Sequence, residues 1–133
     1  MTTAWLDTNI VVRFVTGRPA ALARRAGRIL ARAEAGQLTL RLAPIVVAEA
    51  VWVLSSVYGQ ERAAIAAALS AILRADGITA DERDTLLEAL DVMVRQNVAF
   101  PDAYIAVSAR QSAAAVCTFD SDFKRLSVEI LSA

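Results

Sequence analysis

Four acidic residues lie at places in the sequence where their types and spacing could do chemistry. They are Asp7, Glu49, Asp102 and Asp120. Asp7 is the only charged side chain among the first twelve residues, and Glu49 and Asp102 each interrupt a long stretch without other charges. An ionised carboxylate in apolar surroundings is costly unless a cation or hydrogen-bond donors meet it. The pattern therefore raises the question of what these acids bind.

Carboxylates that gather at one place repel each other, by roughly 3 kcal/mol for a pair about 5 Å apart at an effective dielectric near 20. Such a group needs protons or a divalent cation. The chain has no histidine and one cysteine, so the ligands would all be oxygens, which favours Mg²⁺ or Mn²⁺. A site of this kind lowers the pKa of a bound water and stabilises charge on a phosphoryl group.

Each acid also has an ordinary structural explanation. Asp7 could be a helix N-cap, Glu49 an exposed or arginine-paired residue, and Asp102 an acid favoured in a first helical turn. Asp120 and the nearby Asp122 could cap a short helical turn. The coincidence of positions favours the metal site, because Asp7 and Asp120 follow predicted strands at the sheet edge where α/β proteins bind ligands.

The elements that must position these acids alternate between strand and helix. The residue patterns predict strands at 3–6, 38–42, 78–79, 115–118 and 128–131 and helices at 8–16, 19–35, 44–58, 60–75, 81–96 and 100–113, with a helical turn at 120–126. We expect the first strand and the strand at 115–118 to be buried, and the helix around Glu49 to be buried on most faces. This order predicts an α/β sandwich with a mainly parallel sheet in a single domain, residues 1–133.

Composition excludes several classes of function. The absence of histidine removes Ser-His-Asp and Cys-His catalysis and histidine-ligated zinc. Four of the five glycines are predicted to end helices, which leaves none for a phosphate-binding glycine loop. Cys117 is the only cysteine, and no signal peptide or membrane-spanning stretch is recognisable, so we expect a cytoplasmic protein that is not bound to a membrane.

The net charge of zero conceals an uneven distribution. Arginines accumulate in the first third of the chain, four of them within the helix predicted at 19–35, namely Arg24, Arg25, Arg28 and Arg32. Taken alone, this pattern is most simply the solvated face of one helix. It could also meet a polyanion. The hydrophobic share of 56% favours a large core and an apolar surface for a partner.

Four short motifs together resemble the PIN-domain ribonucleases, and the length and simple layout most resemble the VapC toxins of bacterial type II toxin–antitoxin modules. The resemblance runs from residue 3 to about residue 131 and rests on Leu6-Asp7-Thr8-Asn9, the isolated Glu49, Phe100-Pro101-Asp102-Ala103 and Thr118-Phe119-Asp120-Ser121-Asp122-Phe123. It implies a PIN-like three-layer sandwich with a four- or five-stranded, mainly parallel sheet flanked by helices.

The resemblance also implies a site and a reaction. One or two Mg²⁺ or Mn²⁺ ions would bind in an acidic pocket formed by Asp7, Glu49, Asp102 and Asp120. Water activated there would hydrolyse an RNA phosphodiester and leave a 5′-phosphate and a 3′-hydroxyl. Asp122 would be a possible further contributor, and Asn9 and Thr118 would support the acids or the water by hydrogen bonds.

The partners implied by the resemblance are an RNA substrate, a cognate VapB-like antitoxin and a second copy of the chain in a homodimer. The antitoxin would lay helices across apolar surface near the site. The arginine-rich helices would then form the rim that faces RNA.

Other interpretations remain open. Within the family, the chain could be a housekeeping RNA-processing nuclease or a non-catalytic RNA- or protein-binding module with a degenerate pocket. A haloacid-dehalogenase-like phosphatase needs a second aspartate where Asn9 stands. A receiver domain needs an acidic pair before its phosphorylated aspartate and a late lysine, for which Lys124 is poorly placed.

Overall fold

A computed structural model describes residues 1–131, which fold into two compact units, Met1–Arg83 and a second unit that begins at Asp84. All the strand pairs of the described residues are parallel. This confirms the predicted α/β class. None of the helices within residues 1–131 is both long enough and apolar enough to cross a membrane.

The first unit is a three-stranded sheet with four helices. Its elements are β1 (Thr2–Trp5), α1 (Thr8–Thr16), α2 (Ala20–Glu34), β2 (Leu38–Arg41), α3 (Pro44–Ser56), α4 (Arg62–Arg74) and β3 (Ile78–Thr79). Strand β2 lies in the centre, with Thr2 opposite Leu38 on one side and Leu40 opposite Ile78 on the other. Helix α1 packs against α2 and α3, and α4 packs against α3 and β3.

The second unit consists of α5 (Arg83–Gln96), whose first residue closes the first unit, α6 (Phe100–Gln111), β4 (Val116–Cys117), a short 3₁₀ helix (Ser121–Arg125) and β5 (Ile130–Leu131). Strands β4 and β5 pair in parallel, with Val116 opposite Ile130. The five predicted strands are therefore present, in a three-stranded sheet in the first unit and a two-stranded sheet in the second.

The helix ends follow the glycines as expected. Gly17, Gly36, Gly59 and Gly77 all have positive φ, a conformation that costs glycine little. Gly77 is also required for packing, because a Cβ there would lie 2.2 Å from the carbonyl oxygen of Ala33. This close approach holds the end of α2 against the turn that leads into β3.

Three predictions about burial were wrong. Strand β1 is mostly exposed, including Trp5 at 63%, since it is an edge strand of its sheet. Strand β4 buries Val116 but exposes Cys117. Helix α3 buries one face and exposes the opposite one, where Ile45 is 75% and Trp52 64% accessible. A helix that is apolar all round shows no polar stripe to mark its outer face, so the sequence could not reveal this orientation.

Candidate metal centre

The start of α6 positions Asp102. Pro101 stands at the beginning of this helix, where its missing N–H costs nothing. Phe100 and Ala103 are buried and anchor the first turn on both sides of Asp102, which is itself half-buried. The carboxylate is thus held on a rigid turn at the edge of the second unit's interior.

The segment after β4 positions Asp120 and Asp122 through two hydrogen bonds. The backbone N–H of Asp120 donates to Thr118 Oγ1 at 2.9 Å, and the backbone N–H of Asp122 donates to Asp120 Oδ1 at 2.8 Å. Phe123 is buried and anchors the 3₁₀ helix that follows. Asp120 therefore does cap this helix, and its second oxygen is left for another ligand.

The carboxylates of Asp102, Asp120 and Asp122 converge. Each offers one oxygen, and these three oxygens lie within 4.8 Å of one another. The pKa of Asp102 is raised, first by burial and then by the negative charges of Asp120 and Asp122. Arg125 Nη2 lies 3.7 Å from Asp122 Oδ1 and offsets only part of this charge. The cluster thus favours a proton or an added cation.

The geometry fits a hard divalent ion. Opposite oxygen ligands of Mg²⁺ are about 4.2 Å apart, since each Mg–O distance is about 2.1 Å. Oxygens within 4.8 Å of one another need only small side-chain adjustments to reach that spacing. The three donors are all carboxylate oxygens, the ligand type that suits Mg²⁺ and Mn²⁺.

Asp7 occupies the N-cap position of α1 without acting as a side-chain cap. Its backbone is extended, with φ −90° and ψ 152°, and its carbonyl oxygen accepts from the N–H of Ile10 at 3.1 Å. Its carboxylate makes no capping hydrogen bond to any described residue and is exposed. The prediction that Asp7 lies in apolar surroundings was therefore wrong. The alternative explanation of Asp7 as a side-chain cap does not account for it either.

Glu49 is exposed on the outer face of α3 and has no ion pair within residues 1–131. Ile45 and Trp52, one turn to either side, share this face and are exposed as well. Both Asp7 and Glu49 belong to the first unit, whereas the convergent group Asp102, Asp120 and Asp122 belongs to the second.

Of the predicted supporting residues, Thr118 and Asp122 both contact Asp120, as described above. Asn9 is the second residue of α1 and is exposed. Sequence reasoning left the role of Asp122 open and overlooked Arg125. The spacing of three residues between Asp122 and Arg125 in a predicted helical turn was the available signal for their ion pair.

The arginines of α2 form an exposed face, as the sequence pattern predicted. Arg24, Arg25, Arg28 and Arg32 are all exposed. None of the four has an ion pair with another described residue.

Comparison with known families identifies the family of the chain. The PIN domain family matches residues 4–129, which span nearly the whole chain. No curated protein matches the chain at a significant level. The family match includes all four predicted acids and most of both compact units. The chain therefore belongs to the PIN domain family.

Proposed function

We propose that this chain is a Mg²⁺- or Mn²⁺-dependent endoribonuclease and that residues 1–133 act as one functional domain. The observation that carries the proposal is the convergence of Asp102, Asp120 and Asp122 in a chain of the PIN family. Members of this family are generally metal-dependent nucleases. We propose that Asp7 and Glu49 complete the metal site.

Each residue has a distinct part in this proposal. Asp102 and Asp120 bind the ion directly, and Asp122 adds charge beside them. Thr118 holds the backbone of Asp120, which keeps the loop in a binding conformation. Asp7 would be a further direct ligand, and its carboxylate is available for this role since it makes no helix-capping hydrogen bond. Glu49 binds a second ion or orients the attacking water.

The bound ion supplies two things: a lower pKa for the attacking water and stabilisation of the charge on the phosphodiester. The chain itself supplies positioning. Three carboxylates held near one another in the absence of metal exert a repulsion that the ion relieves, so part of the ion's affinity is built into the fold. The lack of histidine means that no imidazole could act as general base.

RNA cleavage tests the proposal. Wild type with Mn²⁺ should hydrolyse single-stranded RNA and leave 5′-phosphate ends, and EDTA should stop the reaction. Asp7→Asn should abolish cleavage, whereas Asp76→Asn, an equal charge change at another exposed aspartate of the first unit, should retain it. Cleavage by a clean Asp7→Asn preparation at the wild-type rate would remove Asp7 from the site.

We further propose that the nuclease is a cytoplasmic, VapC-type toxin neutralised by a VapB-like antitoxin. A mainly apolar cavity of about 360 Å³ in the first unit supports a protein partner. Its walls include Phe14, Leu30 and Ile72, together with the acids Glu34 and Asp76. Induced expression in bacteria should arrest growth for wild type and not for Asp7→Asn. Arrest by both variants would place toxicity outside the pocket.

A homodimer is the proposed assembly, and the exposed apolar face of α3 supports it. Ile45 and Trp52 on that face are mostly exposed in the described chain, at 75% and 64%. Sedimentation should show a dimer for wild type and a shift towards monomer for Trp52→Ala. A stable dimer of Trp52→Ala would move the interface elsewhere.

The alternatives give different outcomes. A housekeeping RNA-processing nuclease would cleave RNA without arresting growth and would lack a small antitoxin gene immediately upstream. A non-catalytic binding module with a degenerate pocket would show no thermal shift with Mn²⁺.

A further inference from the structure

A second cavity lies between α1 and α2 in the first unit, with a volume of about 210 Å³. We call it the α1–α2 cleft. Asn9, Ile10 and Arg13 line it from α1, and Leu22, Arg25 and Ile29 line it from α2. Asn9 is two residues from Asp7 along the chain, so the cleft opens near the start of the same helix that presents the proposed metal ligand.

Two cations and no acid line the cleft. Arg13 is half-buried and its position is set by the hydrogen bond that Nη1 donates to the hydroxyl of Tyr58 at 2.9 Å. Nη1 also donates to the carbonyl oxygen of Arg18 at 3.5 Å, so the N–H groups of Nε and Nη2 remain for a ligand. Arg25 is exposed and pairs with no acid of the described chain. The lining also includes the apolar side chains Ile10, Leu22 and Ile29, which we call the apolar floor.

The positive charge continues along α2. Arg24, Arg28 and Arg32 recur every four residues, which places them on one side of the helix next to Arg25. The only acid of α2 is Glu34, the last residue of the helix. A row of unpaired cations leading to a small cleft with charged walls and an apolar floor is what a nucleic acid strand with its regular phosphates requires.

We propose that the α1–α2 cleft binds one nucleoside of the RNA substrate, with Arg13 and Arg25 on its flanking phosphates and the base against the apolar floor. This inference rests on the proposed ribonuclease function and extends it by naming where the strand binds. The cleft is smaller than the roughly 300–1,000 Å³ of a typical drug-sized site, which suits a single base. The row of arginines favours a polymer of anions over a single acidic side chain of a protein.

Fluorescence anisotropy with a short labelled single-stranded RNA in EDTA measures binding without cleavage. Loss of one phosphate contact should weaken affinity for single strands about fivefold at 0.1 M salt and reduce the salt dependence by about 0.7 in log–log slope. We expect this for Arg25→Ala. The matched control is Arg74→Ala, an equal charge change at an exposed arginine that ends α4 and lines neither cavity. An equal effect of both variants would overturn the proposal.

An abasic strand of the same length tests the apolar floor. Wild type should bind it more weakly than RNA, and Leu22→Ser should bind both strands with similar affinity. Equal wild-type affinity for the two strands would refute a base-binding cleft. The outcomes of this test and of the nuclease test can be told apart. If wild type fails to cleave RNA but Arg25→Ala selectively loses RNA binding, the cleft proposal stands and the nuclease proposal fails. If Arg25→Ala cleaves and binds RNA normally, the nuclease proposal stands and the cleft proposal fails.

Discussion

Substituting Asp102 with asparagine should stabilise the metal-free protein. The oxygens of Asp102, Asp120 and Asp122 lie within 4.8 Å of one another, and two unit charges at that distance repel by about 0.9 kcal/mol in water and about 3.5 kcal/mol at an effective dielectric of 20. Asp120 is exposed and Asp102 is half-buried, so solvent screening places the gain near the lower value, at about 1 kcal/mol. For a chain of this length that corresponds to roughly 3–5 °C in Tm.

The pH dependence of this gain has a defined sign. Because the pKa of Asp102 is raised above its ordinary 3.8, the wild-type cluster is most stable when the carboxyl is protonated and loses that stability as pH rises through the raised pKa. The advantage of Asp102→Asn should therefore vanish below about pH 3.8 and reach its full size at neutral pH. Urea unfolding at several pH values in EDTA measures it.

Manganese should reverse the order of stability. At an ion concentration of 100 times its Kd, wild type should gain about 2.7 kcal/mol, and Asp102→Asn should gain far less. Asp91→Asn is the control, since Asp91 forms an exposed ion pair with Arg95 and its loss should cost only about 0.2–0.5 kcal/mol. An Asp102→Asn protein that is less stable than wild type in EDTA, or equally stabilised by Mn²⁺, would refute the reasoning.

Two further predictions concern the loop and the turn that support the fold. Asp120→Asn and Asp120→Ala both remove one charge from the cluster in EDTA, so the cap is measured by comparing these two variants with each other. Asp120→Ala should be about 1 kcal/mol less stable than Asp120→Asn, because only Asp120→Ala removes the acceptor of the Asp122 N–H; equal stability of the two would deny the cap. Gly77→Ala should cost more than about 3 kcal/mol, because its Cβ would meet the backbone of Ala33. Gly36→Ala, with φ +79° and nothing within 4 Å, should cost only about 1–2 kcal/mol by the same urea assay.

The sequence predicted the order of strands and helices well, since periodicity and glycine positions are local signals. Gly17 and Gly36 end their helices as expected. Burial was predicted less well, because it depends on which face of an element meets the rest of the unit. Trp5 and Trp52 belong to apolar runs and are nevertheless exposed. No feature of those runs distinguishes an edge strand or an uncovered helix face from a buried one.

The sequence also predicted only part of the candidate site, because local signals identify single residues and packing decides which of them meet. Asp102 and Asp120 were identified because each is out of place in its local sequence, and they do lie together with Asp122. The sequence could not decide whether Asp122 joins the cluster. The position of its side chain depends on the turn that Thr118 and Asp120 form by hydrogen bonding. Distances between carboxylates that are far apart in sequence depend on packing, which spacing along the chain does not encode.

The central proposal is that Asp7 is a ligand of the metal ion, and calorimetric titration of Mn²⁺ tests it most directly. Asp7→Asn changes a carboxylate of the first unit, outside the convergent cluster of the second. If Asp7 shares the ion, this substitution should weaken Mn²⁺ affinity at least about tenfold, while Asp76→Asn leaves it unchanged. Wild-type Mn²⁺ affinity in Asp7→Asn would contradict a shared site.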